Sequence, residues 1–335
     1  MTSEVCQRAK IQSASPIGPL GIEAALEAKD NPSVQPRPKI FDEFALADRV
    51  ALVSGGNGGI GLETAIALCE AGARVVYCFD LPEKPSEVFV ASQDYVRKLG
   101  NNSRLEYFRA DVRDQQLLWK KAEEIGDKEQ RLDICVAVAG IAGPDMDCLE
   151  YPAEAFKEAW SLALDNRSLL LKVIDVNTNG VFFTAQAAGQ QMARLGRGGS
   201  IIIVASIAGS IAAQVLLLPP QVDCKDLRAH FQGFRMVAYN SSKSAILQMA
   251  RSMACELGGK KIRVNTLSPG VIRTQLVEAF FDKQPELLNE CSRMNPLGRI
   301  ARPDELRGVV TWLASDASTF CTGSNIIVDG GQRAW

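Results

Sequence analysis

One histidine, His230, is all that this chain of 335 residues contains. A His-based triad and a zinc site with several His ligands are therefore excluded, and no metal site is expected. The nine cysteines are scattered, odd in number and free of C-x-x-C pairs, which argues against a disulfide framework and for reduced thiols in a cytoplasmic setting. Cys69, Cys78, Cys135 and Cys255 sit in apolar stretches and are expected to fill the core. Basic residues are not in excess, since 37 Lys+Arg against 39 Asp+Glu give a net charge of −2; no nucleic-acid footprint follows. The stretch from Arg197 to Asp223 lacks charge, but Ser200, Ser206, Ser210 and Gln214 interrupt it. A buried parallel strand followed by a loop explains it better than a membrane span. Residues 1–44, with Pro16, Pro19, Pro32, Pro36 and Pro38 and no apolar signal core, read as an N-terminal surface extension, helical at 20–29. No repeat or low-complexity tract appears.

What is present is a Tyr and a Lys four residues apart, Tyr239 and Lys243 in VAYNSSK, on one face of a helix. A free phenol titrates near ~10, and bringing it to neutrality requires about three units at ~1.4 kcal/mol each, part of which a neighbouring ammonium can supply. The spacing alone also fits a plain exposed helical turn. Upstream, SGGNGGIG at 54–61 lies between the apolar run Val50 to Val53 and the helical stretch Leu62 to Leu68. Glycines where a strand turns into a helix suit a dinucleotide: Gly55 makes the tight turn, Gly59 belongs to the loop that backs the pyrophosphate, and Gly61 lets helix and strand pack. The helix N-terminus then faces the phosphates. A second strand, RVVYCFD, ends at Asp80, about 20 residues past Gly61, where a carboxylate accepts ribose hydroxyls and repels a 2′-phosphate. This favours NAD, with NADP as the alternative.

Taken in order, the Gly-rich loop, Asp80, Asp111 with Val112, CVAVAGI at 135–141, Asn177 in DVNTNG, Ser206 in IIIVASIAG, and Tyr239 with Lys243 resemble the classical short-chain dehydrogenase/reductase family. IRVNTLSPGVIRT at 262–274, PLGR at 296–299 and NIIVDGG at 325–331 extend the resemblance over residues 45–335, most closely to fungal members acting on polyols, ketoses or secondary metabolites. It implies hydride transfer between NAD(P) and a secondary alcohol or ketone, with Tyr239 as acid/base, Lys243 lowering its pKa and holding the nicotinamide ribose, Ser206 donating to the substrate oxygen, and Asn177 holding a water relay. Ile60, Asp111, Val112, Val271 and Thr274 carry over as cofactor contacts, and a homodimer or homotetramer is implied.

Alternating β and α segments, with strands near 50, 75, 107, 135, 201, 263 and 326, give an α/β fold, a single Rossmann-type doubly wound parallel sheet flanked by helices. Two departures stand out. Val138 occupies a place where the family carries Asn, and apparent insertions fall at 159–172 and 215–234. The second of these, broken by Pro219 and Pro220, reads either as a specificity lid or, like the first, as retained intervening sequence. Ala279, Phe280, Phe281, Leu287 and Leu288 favour a lipophilic substrate such as a terpenoid, whereas Asp282, Lys283 and Glu286 suit a polyol or ketose. A catalytically silent dinucleotide-binding regulator is the alternative of another class.

Overall fold

The computed structural model describes residues 17–142, 148–149, 173–212, 236–281 and 286–334. The segments 159–172 and 215–234 lie outside the described residues, as do the side chains of Ala279, Phe280, Asp282, Lys283, Glu286 and Leu287. The strands are β1 (Val50–Ser54), β2 (Val75–Asp80), β3 (Arg104–Arg109), β4 (Ile134–Ala137), β5 (Gly199–Val204), β6 (Ile262–Pro269) and β7 (Asn325–Val328). Around them lie α1 (Gly21–Asp30), α2 (Gly59–Glu70), α3 (Glu87–Arg97), α4 (Gln115–Glu129), α5 (Val181–Leu195), α6 (Val237–Leu257), α7 (Gln275–Phe281), α8 (Glu286–Arg293) and α9 (Arg307–Ala314).

All strand pairings are parallel, in the order β3-β2-β1-β4-β5-β6-β7. Parallel strands buried on both faces need apolar residues at consecutive positions, which VALVS in β1 and SIIIV in β5 supply. Alternate residues then feed opposite cores. Val50, Leu52, Ile201 and Ile203 pack with Leu118, Ala122 and Ile125 of α4 and Ile246 of α6. Ala51, Val53, Ile202 and Val204 pack with Leu62, Ala65 and Leu68 of α2 and Leu313 of α9. Each fully buried Val, Leu or Ile contributes about 1.5–3 kcal/mol, so the two cores fix the sheet between helical layers. After β3 the chain crosses back to place β4 beside β1, with Ser54 opposite Ala137. The loops leaving these two strands diverge, and a crevice opens at their C-terminal ends.

Ahead of the sheet, α1 buries no side chain, and the residues on either side of it are joined by Lys39 Nζ, which donates to the Pro19 carbonyl at 2.9 Å. Cys69, Cys78 and Cys135 are buried, but Cys255 is exposed. The apolar run around Cys255 is helical, and Met253 and Ala254 take the inner face of α6, leaving the next residue to point outward. Among the described residues no helix is long and apolar enough to cross a membrane.

Candidate active site

The crevice is built first by the glycine loop. Gly55 has φ +69°, and a Cβ there would lie 2.9 Å from Ala139 Cα on the β4 side. At Gly61 a Cβ would fall 2.0 Å from the Gly55 carbonyl oxygen, so only hydrogen fits where α2 leaves the loop. Ser86 caps α3 and Asp114 caps α4, each accepting a main-chain N–H, whereas α2 begins at Gly58 with no side-chain cap. Its first-turn N–H groups remain available to an anion. The resulting cleft, about 580 Å³, is lined by Gly55, Gly59, Gly61, Asp80, Asp111 and Val112 among others. A glycine cradle, an uncapped helix and an acidic strand end in one crevice fit the diphosphate and ribose of a dinucleotide.

Asp80 accepts the N–H of Asn57 at 3.0 Å and of Leu81 at 2.8 Å. Arg109, its neighbour on β3, pairs with Glu83 at 2.7 Å, and Arg113 pairs with Asp111 at 2.6 Å. Asp80 therefore has no ion pair among the described residues. Asn57, unremarked among its glycines in the sequence, holds the loop to the start of α3. Its Oδ1 accepts Ser86 N–H and its carbonyl accepts the Ser86 hydroxyl, both at 2.8 Å.

Beyond the cleft, Ser206 follows β5 and opens a tight turn, accepting the Ala208 N–H at 3.1 Å. The α6 helix lies against this turn, with Ser244 Oγ donating to the Gly209 carbonyl at 2.6 Å. That contact brings α6, and with it Tyr239, alongside Ser206, and both line one cavity. One turn on, Lys243 Nζ donates to the Val204 carbonyl at 3.0 Å and stands 5.6 Å from the Tyr239 ring centre. Burial raises the Tyr239 pKa, with Ser206 opposing it, and burial pushes the Lys243 ammonium down to about 8. The Lys243 ammonium addresses a carbonyl and a ring face, and desolvation is the largest influence on both groups.

Asn177 lies in a π-helical turn, Asp175–Gly180, at the head of α5 and is fully buried. Its Oδ1 accepts Ile141 N–H at 2.8 Å, and its Nδ2 donates to the Ile141 carbonyl at 3.0 Å and to Ser242 Oγ at 3.2 Å. Ser242 in turn donates to the Tyr239 carbonyl at 2.7 Å. The Asn177 amide is therefore engaged in joining the end of β4 to α6. Ser242 went unnoticed in the sequence because a serine inside YNSSK reads as a spacer.

Ser206, Tyr239 and Lys243 face a cavity of about 270 Å³ that shares Ile60, Gly140, Ile141 and Thr274 with the dinucleotide cleft. Val271 and Thr274 line it, as do Phe281, Cys291, Met294 and Gln332; Leu288 packs behind Phe281 and Cys291. Val138 forms part of the wall common to both spaces, and the strand end beside it is steadied by Ala139 N–H donating to Ser54 Oγ at 3.4 Å. Cys291, Met294 and Gln332 gave no signal in the sequence, being far along the chain from every motif read as catalytic.

Comparison with known proteins agrees with this geometry. A family model described as short chain dehydrogenase matches residues 49–217, and one described as Enoyl-(Acyl carrier protein) reductase matches residues 227–333. Sorbose reductase SOU1 of Candida albicans is 33% identical over 313 residues, covering 90% of this chain and 95% of that protein. A probable NADP-dependent mannitol dehydrogenase of Yarrowia lipolytica is 32% identical over 307 residues, covering 90% and 94%. The crystal structure of a short-chain type dehydrogenase/reductase from Mycobacterium marinum superposes with a TM-score of 0.69 at 33% identity, covering 87% of this chain and 98% of that one. The chain belongs to the short-chain dehydrogenase family, as an oxidoreductase that acts on CH–OH groups with NAD or NADP.

Proposed function

We propose that the protein interconverts a polyol and its ketose, with Tyr239 as the group that moves the proton. The observation that carries the reading is that Ser206, Tyr239 and Lys243 line one cavity, which shares part of its wall with the dinucleotide cleft. A substrate oxygen received there accepts from Ser206 Oγ and exchanges its proton with Tyr239 Oη. In the reductive direction the phenol gives its proton to the forming alkoxide; in the oxidative direction it takes the hydroxyl proton. Asn177 and Ser242 hold Tyr239 and the end of β4 in register for this, and Lys243 sits beneath the phenol as the route by which its charge is steadied. The bound nicotinamide supplies or accepts the electron pair. Gly55, Gly59, Ile60 and Gly61 hold its diphosphate side, and Val271 with Thr274 hold its nicotinamide side. The unpaired Asp80 supports NAD over NADP, since a 2′-phosphate brought beside it meets like charge.

The similarity to a sorbose reductase and a probable mannitol dehydrogenase supports the polyol. A second reading, a lipophilic secondary alcohol such as a terpenoid, is supported by the apolar lining from Met236, Val277, Phe281 and Met294. The test is absorbance at the reduced-nicotinamide band with NAD+ or NADP+ against a panel of polyols and lipophilic alcohols. Polyol turnover that falls by about 10²–10⁴ in Tyr239→Phe, with dinucleotide affinity retained, is the expected result. Turnover confined to lipophilic alcohols sinks the polyol, and turnover indifferent to Tyr239→Phe sinks the assignment of the acid/base. Dinucleotide binding with no turnover on any alcohol would favour a silent regulator.

A further inference from the structure

Most of the cavity wall is hydrocarbon. The polar side chains on it are Ser206, Tyr239, Lys243, Thr274 and Gln332. Ser206 and Tyr239 are assigned to the reacting oxygen, Lys243 is engaged by the Val204 carbonyl, and Thr274 is shared with the dinucleotide cleft. Gln332 differs from all four. It lines the cavity and not the cleft, it is only 7% exposed, and its side-chain amide makes no hydrogen bond to any described residue. An amide that lines the cavity with no partner among the described residues keeps its donor and acceptor for whatever enters that cavity.

The main chain holds this amide firmly in place. Beyond β7 the chain turns through Gly330 and Gly331, at φ +66° and +86°. The Asp329 carboxylate closes the turn, accepting Gly331 N–H and Arg333 N–H, each at 2.9 Å. A Cβ on Gly331 would lie 3.0 Å from Pro296, and one on Gly330 would lie 2.7 Å from Asn295 Oδ1, so the turn packs directly onto the segment that follows α8. Phe281, Cys291 and Met294, from α7, α8 and the segment after it, line the same cavity as Gln332.

We propose that Gln332 is a specificity-determining residue that hydrogen-bonds a second oxygen of the substrate, a hydroxyl beyond the carbon that is oxidised or reduced. An amide offers a donor and an acceptor together, which suits a hydroxyl, itself both. With Ser206 and Tyr239 gripping the reacting oxygen, a second polar anchor in an apolar cavity selects hydroxylated ketones and polyols over plain ones. The inference rests on the polyol reading and sharpens it.

The test pairs L-sorbose with methyl butyl ketone, which has the same carbon count and no hydroxyls. Gln332→Met keeps length and removes the polar atoms; Gln332→Asn keeps the amide and shortens its reach. For both variants kcat/KM on L-sorbose is expected to fall about 10–100-fold, mainly through KM, because a site built for a hydroxyl loses that discrimination with the amide. On methyl butyl ketone it is expected to hold, and dinucleotide affinity to stay at the wild-type value. A parallel loss on both substrates, no loss on either, or a loss of dinucleotide affinity alone overturns the assignment. If the wild type reduces methyl butyl ketone and no ketose, the polyol reading fails separately. Gln332 is then judged by the same criteria on the α-hydroxylated counterpart of that ketone.

Discussion

Lys243 carries a measurable signature of its position. Burial brings its ammonium down to about 8 from an ordinary value of 10.5. Since the folded protein binds that proton less tightly than the unfolded chain, the charged side chain costs stability below about pH 8, and the cost fades as pH rises toward 10.5. Lys243→Met removes the cost along with the bond to the Val204 carbonyl. Urea unfolding without dinucleotide is expected to find the variant more stable than wild type by about 1–3 kcal/mol near pH ~7, with the advantage shrinking near pH ~9.5. An advantage independent of pH would mean that the ammonium is well solvated. The pairing of Tyr239 with Lys243 was legible in the sequence, because spacing fixes which face two helical residues share. The sense of their electrostatics was not, because it depends on a carbonyl contributed by β5 and on burial by elements distant in sequence. Gln332 was illegible for a related reason: a polar residue after two glycines reads as surface, and only the turn's packing onto Asn295 and Pro296 carries it inward.

Where the π-helical turn meets α6, one hydroxyl joins two elements. Ser242 accepts from Asn177 and donates to the Tyr239 carbonyl, so Ser242→Ala leaves a buried amide hydrogen and a helix carbonyl each short of a partner. A stability loss of about 1–3 kcal/mol is expected in thermal or urea melts. A fall in kcat with dinucleotide affinity unchanged is expected beside it, because the joint sets Tyr239 and leaves the glycine loop alone. If dinucleotide affinity falls as well, the joint extends into the cleft. Strands were the most legible elements: runs such as SIIIV and VALVS, too short for helices and flanked by glycine, have few alternatives in an α/β chain. Helical faces were less so, as Cys255 demonstrates, since an apolar run wraps around a helix and its members point in different directions. The widened turn at Asn177 left no mark in composition at all.

At the scale of the whole molecule, the sheet and its two cores form one body to which the N-terminal segment adds little. No side chain of α1 is buried, and Lys39 Nζ, itself within the extension, donates to the Ile17 and Pro19 carbonyls ahead of that helix. Removing residues 1–36 is expected to change unfolding free energy by less than about 1 kcal/mol and to leave turnover intact; a larger shift in the urea midpoint would mean that this segment packs more than its described part does. The sheet order was legible from the alternation of segments, because a glycine loop after the first strand and an acid at the end of the second already imply a crossover at that point. What the order does not convey is when the pocket becomes complete. The cradle, the serine and the phenol all belong to earlier parts of the chain, while the edge strand and the turn bearing Gln332 emerge from the ribosome after them. The residue assigned to choosing among substrates is thus contributed by the last turn of the chain, after every residue assigned to the redox step.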